Sequence, residues 1–86
     1  VSYRVELTAA AARQVRKIRR PARDRVLSAI EQLADNPRPD GARKLVGERT
    51  AWRIRAGDYR LIYDVVDSEL LVSIIRTAHR REVYQR

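Results

Sequence analysis

The sequence predicts an α+β fold in the order β-α-α-β-β-β, a helical hairpin packed on one face of a small, mainly antiparallel sheet, with a short C-terminal segment. Three observations predict it. A short alternating segment near the N-terminus is followed by two amphipathic helical stretches. Two strand-like segments are joined by Gly57-Asp58, the composition of a two-residue hairpin loop. Leu70 to Ile75 is almost continuously apolar, as expected of a central strand covered on both faces.

Each element has its own signal. Tyr3-Arg4-Val5-Glu6-Leu7 alternates apolar and charged residues, the pattern of a half-buried strand. Thr8 suits a helix N-cap. From Ala9 to Arg20, Ala11, Val15 and Ile18 fall on one helical face, while Arg13, Arg16, Lys17 and Arg20 occupy the other. Arg20-Pro21 breaks the helix, because proline disfavours helical backbone at the residue before it. Pro21 fits the first turn of a second helix. Its apolar stripe is Val26, Leu27, Ile30, Leu33 and Ala34, and Pro37 and Pro39 stop it. Asn36 to Gly41 reads as a loop. Ala42 to Thr50 is ambiguous, with only Leu45 and Val46 expected to be buried. Ala51 to Ala56 and Tyr59 to Val66 are strands, and Asp67-Ser68 is a second turn. Thr77 to Arg86 is polar, a short helix or an irregular tail. There are no internal repeats and no low-complexity segment.

Composition narrows the function. At 86 residues, residues 1–86 are expected to form one domain, since domains commonly run about 100–150 residues. The absence of cysteine excludes disulfides, thiolate zinc sites and a thiol nucleophile. A single histidine argues against a histidine-rich metal site or a Ser-His-Asp triad, and no metal or cofactor is expected. No apolar run approaches the roughly 18 residues of a membrane span, and no secretory pattern is visible. A cytoplasmic protein without a membrane partner is expected. The formal charge is +8, and all but Lys17 and Lys44 of the 19 basic residues are arginine. Guanidinium groups bind phosphate bidentately and stack on bases, so an RNA or DNA partner is expected.

Pairing the hairpin around Gly57-Asp58 sets Ala56 opposite Tyr59, Arg55 opposite Arg60, Ile54 opposite Leu61, Arg53 opposite Ile62 and Trp52 opposite Tyr63. Side chains alternate faces along a strand. One face therefore carries Trp52, Ile54, Leu61 and Tyr63, a packing surface for the helices. The other gathers Arg53, Arg55 and Arg60 around Ile62. Like charges directly opposite are unfavourable. Either Asp64, Glu48 or salt relieves them, or an anion sits between them and the face is a phosphate site.

Two segments carry a family resemblance: Trp52-Arg53-Ile54-Arg55-Ala56-Gly57-Asp58-Tyr59-Arg60-Leu61-Ile62-Tyr63 and His79-Arg80-Arg81-Glu82-Val83-Tyr84. Together with the element order, they make the chain resemble the RelE/ParE toxin superfamily, the RelE branch in particular, over nearly its whole length. The resemblance implies a toxin that cuts mRNA in the ribosomal A site without a metal, the RNA's own 2′-hydroxyl acting as nucleophile. It implies a cognate antitoxin, helix-rich with an acidic neutralising segment. By the family's motif, Arg60 and Arg80 fall on the phosphate-clamping positions and Tyr84 on the general base. Arg53 and Arg55 fall on the basic hairpin strand, where a lysine pair is familiar. An arginine there holds phosphate but is a poor proton donor. A different gap placement in the family's motif exchanges Arg80 with Arg81, which otherwise falls on an RNA-binding position. His79 is a candidate for proton transfer, because imidazole titrates near neutrality, and Glu48 is a weaker one by analogy with Glu-using relatives. Two alternatives remain: a ParE-like inhibitor of DNA gyrase, and a non-catalytic basic module that binds nucleic acid.

Overall fold

A computed structural model describes residues 2–81. In chain order the elements are β1 (Arg4–Leu7), α1 (Ala9–Arg16), α2 (Ala22–Asp35), β2 (Arg43–Lys44), β3 (Ala51–Ala56), β4 (Tyr59–Val66), a 3₁₀ turn (Asp67–Glu69) and β5 (Leu71–His79). The five strands form one sheet in the order β1-β5-β4-β3-β2. β1 runs parallel to β5, and the other neighbours are antiparallel. This is the expected α+β arrangement, with one added two-residue strand, β2, in the stretch that the sequence left ambiguous.

Local chemistry explains the helices. Thr8 caps α1 as expected: its Oγ1 accepts from the Ala11 N–H at 3.1 Å and donates to the Ile75 carbonyl at 3.0 Å. One side chain thus starts the helix and ties it to β5. α1 ends at Arg16, four residues before the expected Arg20. The Lys17 and Ile18 N–H groups bond back to Gln14 and Val15, a tightened last turn. The chain then leaves the helix before Pro21, yet Ile18 remains in the core at 6% exposure. α2 stops where Asn36 turns extended (φ −144°, ψ 96°), the backbone that Pro37 favours in its predecessor.

The core lies between the helices and one sheet face. Ala11, Val15, Ile18, Val26, Ile30 and Leu33 meet Leu61, Tyr63, Val65, Val72 and Ile74, with Trp52 and Ile54 packed partly against them. Leu27 departs from its expected stripe and is exposed, as is Val46, whose side chain projects fully into solvent. β5 is central in pairing, but helices cover only one of its faces. Leu71, Ser73 and Ile75 on the strand are half-buried, while Val72 and Ile74 are buried, so the expectation of cover on both faces is corrected. β5 also continues to His79, where a tail from Thr77 was expected. Beyond the last residue paired with β1 (Ile74), α1 serves the strand's open edge: the Thr77 N–H donates to Gln14 Oε1 at 2.7 Å.

Candidate nucleic-acid interface

The sheet face opposite the helices carries the arginines. The hairpin register is the one expected: Trp52↔Tyr63, Arg53↔Ile62, Ile54↔Leu61, Arg55↔Arg60 and Ala56↔Tyr59. Gly57 alone of the two loop residues has positive φ (+63°), the pattern of a type II′ turn, whose twist matches that of the strands. A two-residue turn fixes the register, and the register places the arginines opposite the helices.

Two further arginines join this face. Arg43 of β2 lies directly opposite Arg53. Arg76 of β5 lies opposite Ile62. Arg43, Arg53, Arg55, Arg60 and Arg76 therefore come from four adjacent strands. Gly41, Arg43, Arg53, Ile54, Arg55 and Arg60 line an open depression of about 280 Å³. Neither addition has a local signal in the sequence. Arg43 sits in a two-residue strand, and Arg76 reaches the face through a break in register.

Two like-charge pairs, Arg43/Arg53 and Arg55/Arg60, stand directly opposite one another across strands. Such pairs are destabilising by up to about 1 kcal/mol each. Among the described residues no carboxylate lies within ion-pair distance of Arg43, Arg53, Arg55 or Arg76; the pairs formed are Arg4–Glu6, Arg20–Asp24, Arg38–Asp67 and Arg80–Asp58. Asp64, on the same face, accepts from the Thr50 hydroxyl at 3.0 Å. Glu48 is exposed in the loop after β2. The charge of Arg43, Arg53, Arg55 and Arg76 is thus not relieved by an ion pair among the described residues. Its chemistry is that of a polyanion-binding surface, several planar guanidiniums displayed on a rigid sheet.

The remaining expected site residues are distributed around it. Arg80 follows β5 at the hairpin tip: its N–H donates to the Asp58 carbonyl at 2.8 Å, and its Nε is 3.8 Å from Asp58 Oδ1. Arg81 is exposed, and its N–H donates to His79 Nδ1 at 3.2 Å. His79 pairs with Tyr59 in register and so shares the helix-side face, with the rings edge-to-face at 5.2 Å. The strand alternation that turns Arg60 outward turns Tyr59 and His79 the other way, so the structure does not bring His79 to the arginine face. Tyr84 lies outside the described residues. Among the described residues no group of three His, Cys, Asp or Glu side chains is placed to hold a metal ion, and no helix is long and apolar enough to cross a membrane.

Comparison with known proteins gives a consistent picture. The family model described as ParE toxin of type II toxin–antitoxin system matches residues 5–84. An Escherichia coli protein named as RelE-like toxin is 26% identical over 80 residues, 91% of this chain and 83% of that protein. The archaeal RelE–RelB complex from Pyrococcus horikoshii superposes with a TM-score of 0.82 at 26% identity, covering 93% of this chain and 97% of that one. The RelBE2 toxin–antitoxin complex from Mycobacterium tuberculosis gives 0.80 at 30% identity, covering 93% and 100%.

Proposed function

Because this chain belongs to the RelE/ParE superfamily of type II toxins, through its ParE toxin family, we propose that it is a ribosome-dependent endoribonuclease that cleaves mRNA and stops translation. The observation that carries the reading is the cluster of arginines that four adjacent strands gather on the sheet face opposite the helices. It is supported by the likeness to solved RelE structures.

In this mechanism the 2′-hydroxyl upstream of the scissile phosphate loses its proton to a base and attacks phosphorus. The 5′ oxygen leaves and takes up a proton. The products are a 2′,3′-cyclic phosphate and a 5′-hydroxyl. The protein supplies orientation, charge stabilisation and proton transfer. Arg60 and Arg80 hold the phosphate and the charge that develops on its equatorial oxygens. Arg53 and Arg55 hold the neighbouring backbone and lower the pKa of a tyrosine brought close to them. Tyr84 is the base. His79 packs on Tyr59 and shapes the start of the C-terminal segment. The partner is an antitoxin, as in the complexes of the related toxins.

The test is incubation of the purified protein with mRNA-programmed ribosomes at fixed Mg²⁺, with cleavage sites mapped and product ends identified. Cleavage giving a cyclic phosphate and a 5′-hydroxyl is expected, and a 3′-hydroxyl product contradicts 2′-hydroxyl attack. The family description itself, a ParE toxin, favours one second reading, inhibition of DNA gyrase. Loss of supercoiling activity by gyrase together with intact mRNA on ribosomes would select it.

A further inference from the structure

Arg76 reaches the outer face only because β5 contains an irregularity. Moving along the β4–β5 ladder from the 3₁₀ turn, Val65↔Val72, Asp64↔Ser73 and Tyr63↔Ile74 are in step. The next pair is Ile62↔Arg76, with the register shifted by one residue at Ile62/Tyr63. Ile75 is the extra residue. Without it, Ile75 would stand opposite Ile62 on the outer face and Arg76 would turn toward the helices. Bulges are frequent beside active sites, where they re-aim a side chain.

The bulge delivers Arg76 to a face that already holds like charge. Arg60, two residues from Ile62 on β4, points the same way, and the Arg60–Arg76 pair is diagonal across β4 and β5. Such diagonal neighbours lie about 7–8 Å apart, within reach of long side chains. Ile62 then separates Arg76 from Arg53 on the other flank. Arg76 is half-buried and forms no ion pair among the described residues. The acid on the same face, Asp64, lies opposite Ser73 on the far side of the bulge and is engaged by Thr50. A solubilising surface arginine needs neither a bulge to place it nor a position beside other arginines.

We propose that Arg76 is an RNA-binding residue that holds a backbone phosphate adjacent to the one clamped by Arg60, extending the footprint across β5. The proposal rests on the ribonuclease reading. Holding a flanking phosphate contributes equally to the ground state and the transition state. It lowers KM and leaves kcat unchanged.

The experiment compares wild type, Arg76→Gln and Arg76→Lys on mRNA-programmed ribosomes, with kcat and KM measured at several salt concentrations and folding checked by circular dichroism. For Arg76→Gln we expect KM to rise about tenfold with kcat within about threefold. The slope of log(1/KM) against log[salt] becomes shallower by about 0.7, the value for one lost contact to a single strand. Arg76→Lys restores the slope. An unchanged KM and slope in Arg76→Gln, with wild type active, overturns the Arg76 proposal and leaves the ribonuclease reading standing. A fall in kcat at constant KM also overturns it, because that would place Arg76 at the scissile phosphate. A folded wild type that cleaves nothing removes the ribonuclease reading, and the Arg76 proposal with it.

Discussion

Arg60 sits at the centre of the arginine face, opposite Arg55 on one side and Ala78 on the other. Replacing it with alanine removes a guanidinium from the proposed scissile phosphate and a like charge from beside Arg55. Loss of a positioned charge-stabilising donor commonly lowers kcat by about 10²–10³. We expect Arg60→Ala to lose cleavage on that scale and to stop inhibiting growth, with folding stability changed by no more than about 1 kcal/mol. Initial-rate kinetics and thermal melts of the same preparation check both parts, and normal toxicity of a folded variant removes the clamp assignment. The residues most legible in the sequence were those fixed by local geometry. Arg53, Arg55 and Arg60 follow from Gly57-Asp58, since a two-residue turn determines every pair after it. Arg43 has no local signal, because its position depends on a two-residue strand finding β3. Arg76 has none either, because no pattern in Ser73-Ile74-Ile75-Arg76 announces a bulge. His79 is adjacent to Arg80 in the chain, but strand alternation turns it away from Arg60.

Between elements, long-range contacts tie together segments far apart in the chain. Tyr3, just before β1, donates from its hydroxyl to Asp67 Oδ1 at 2.5 Å. Arg38, from the loop after α2, makes two bonds to the same carboxylate, at 3.2 and 2.6 Å, and lies 5.4 Å from the centre of the Trp52 ring. Nearby, Tyr63 of β4 donates to the Pro37 carbonyl at 2.8 Å. This network joins β1, the loop, β4 and the 3₁₀ turn, and no periodicity in the sequence encodes it. It also contributes a pH dependence to stability. The hydrogen bonds from Arg38 and then Tyr3 hold the Asp67 carboxyl below its ordinary value. A depressed carboxyl contributes stability above its unfolded pKa, near 3.9, and loses it as pH falls through the folded value. Burial pushes the Tyr63 phenol up to about 12. A raised phenol contributes fully below its unfolded pKa, near 10, and that contribution is lost as pH rises from about 10 through 12. We expect the melting temperature to fall at both extremes. Asp67→Asn should lower it at pH 7, and the difference from wild type should shrink as pH falls below the unfolded value toward the depressed folded one. Tyr63→Phe should cost about 1 kcal/mol at pH 7 and flatten the alkaline limb. An Asp67→Asn difference from wild type that is the same at pH 3 and pH 7 would refute the acid-limb assignment.

Among the described residues the molecule presents a packed helical side and a cationic sheet side, with β1 and β2 at the two sheet edges. The helical side is also basic: Arg13, Arg16, Lys17 and Arg20 are all exposed. The proposed ribonuclease would need restraint in its own cell, and a net charge of +8 suits restraint by an acidic polypeptide. Steering by such a charge acts on encounter, so it raises the association rate more than it slows dissociation. The Debye length shortens from about 10 Å at 0.1 M salt to about 3 Å at 1 M. For the proposed antitoxin we therefore expect the association rate constant to fall at least tenfold between 0.05 and 0.5 M NaCl, with dissociation changed little. Stopped-flow mixing across that range measures both, and an association rate indifferent to salt would remove electrostatic steering from the account. Neutralisation itself has two geometric forms. An antitoxin segment that covers Arg53, Arg55 or Arg60 blocks the RNA directly, as an added strand at an open edge or a helix laid on the sheet would do. A segment that displaces residues 80–84 leaves those arginines open and carries Tyr84 away from the phosphate site. In the first form Arg60→Ala weakens antitoxin binding along with cleavage. In the second it abolishes cleavage and leaves the affinity for antitoxin unchanged, so isothermal titration of that one variant distinguishes them. A neutralised complex with the arginine face uncovered and Tyr84 beside Arg60 would defeat both, because every group proposed for the reaction would still be in place.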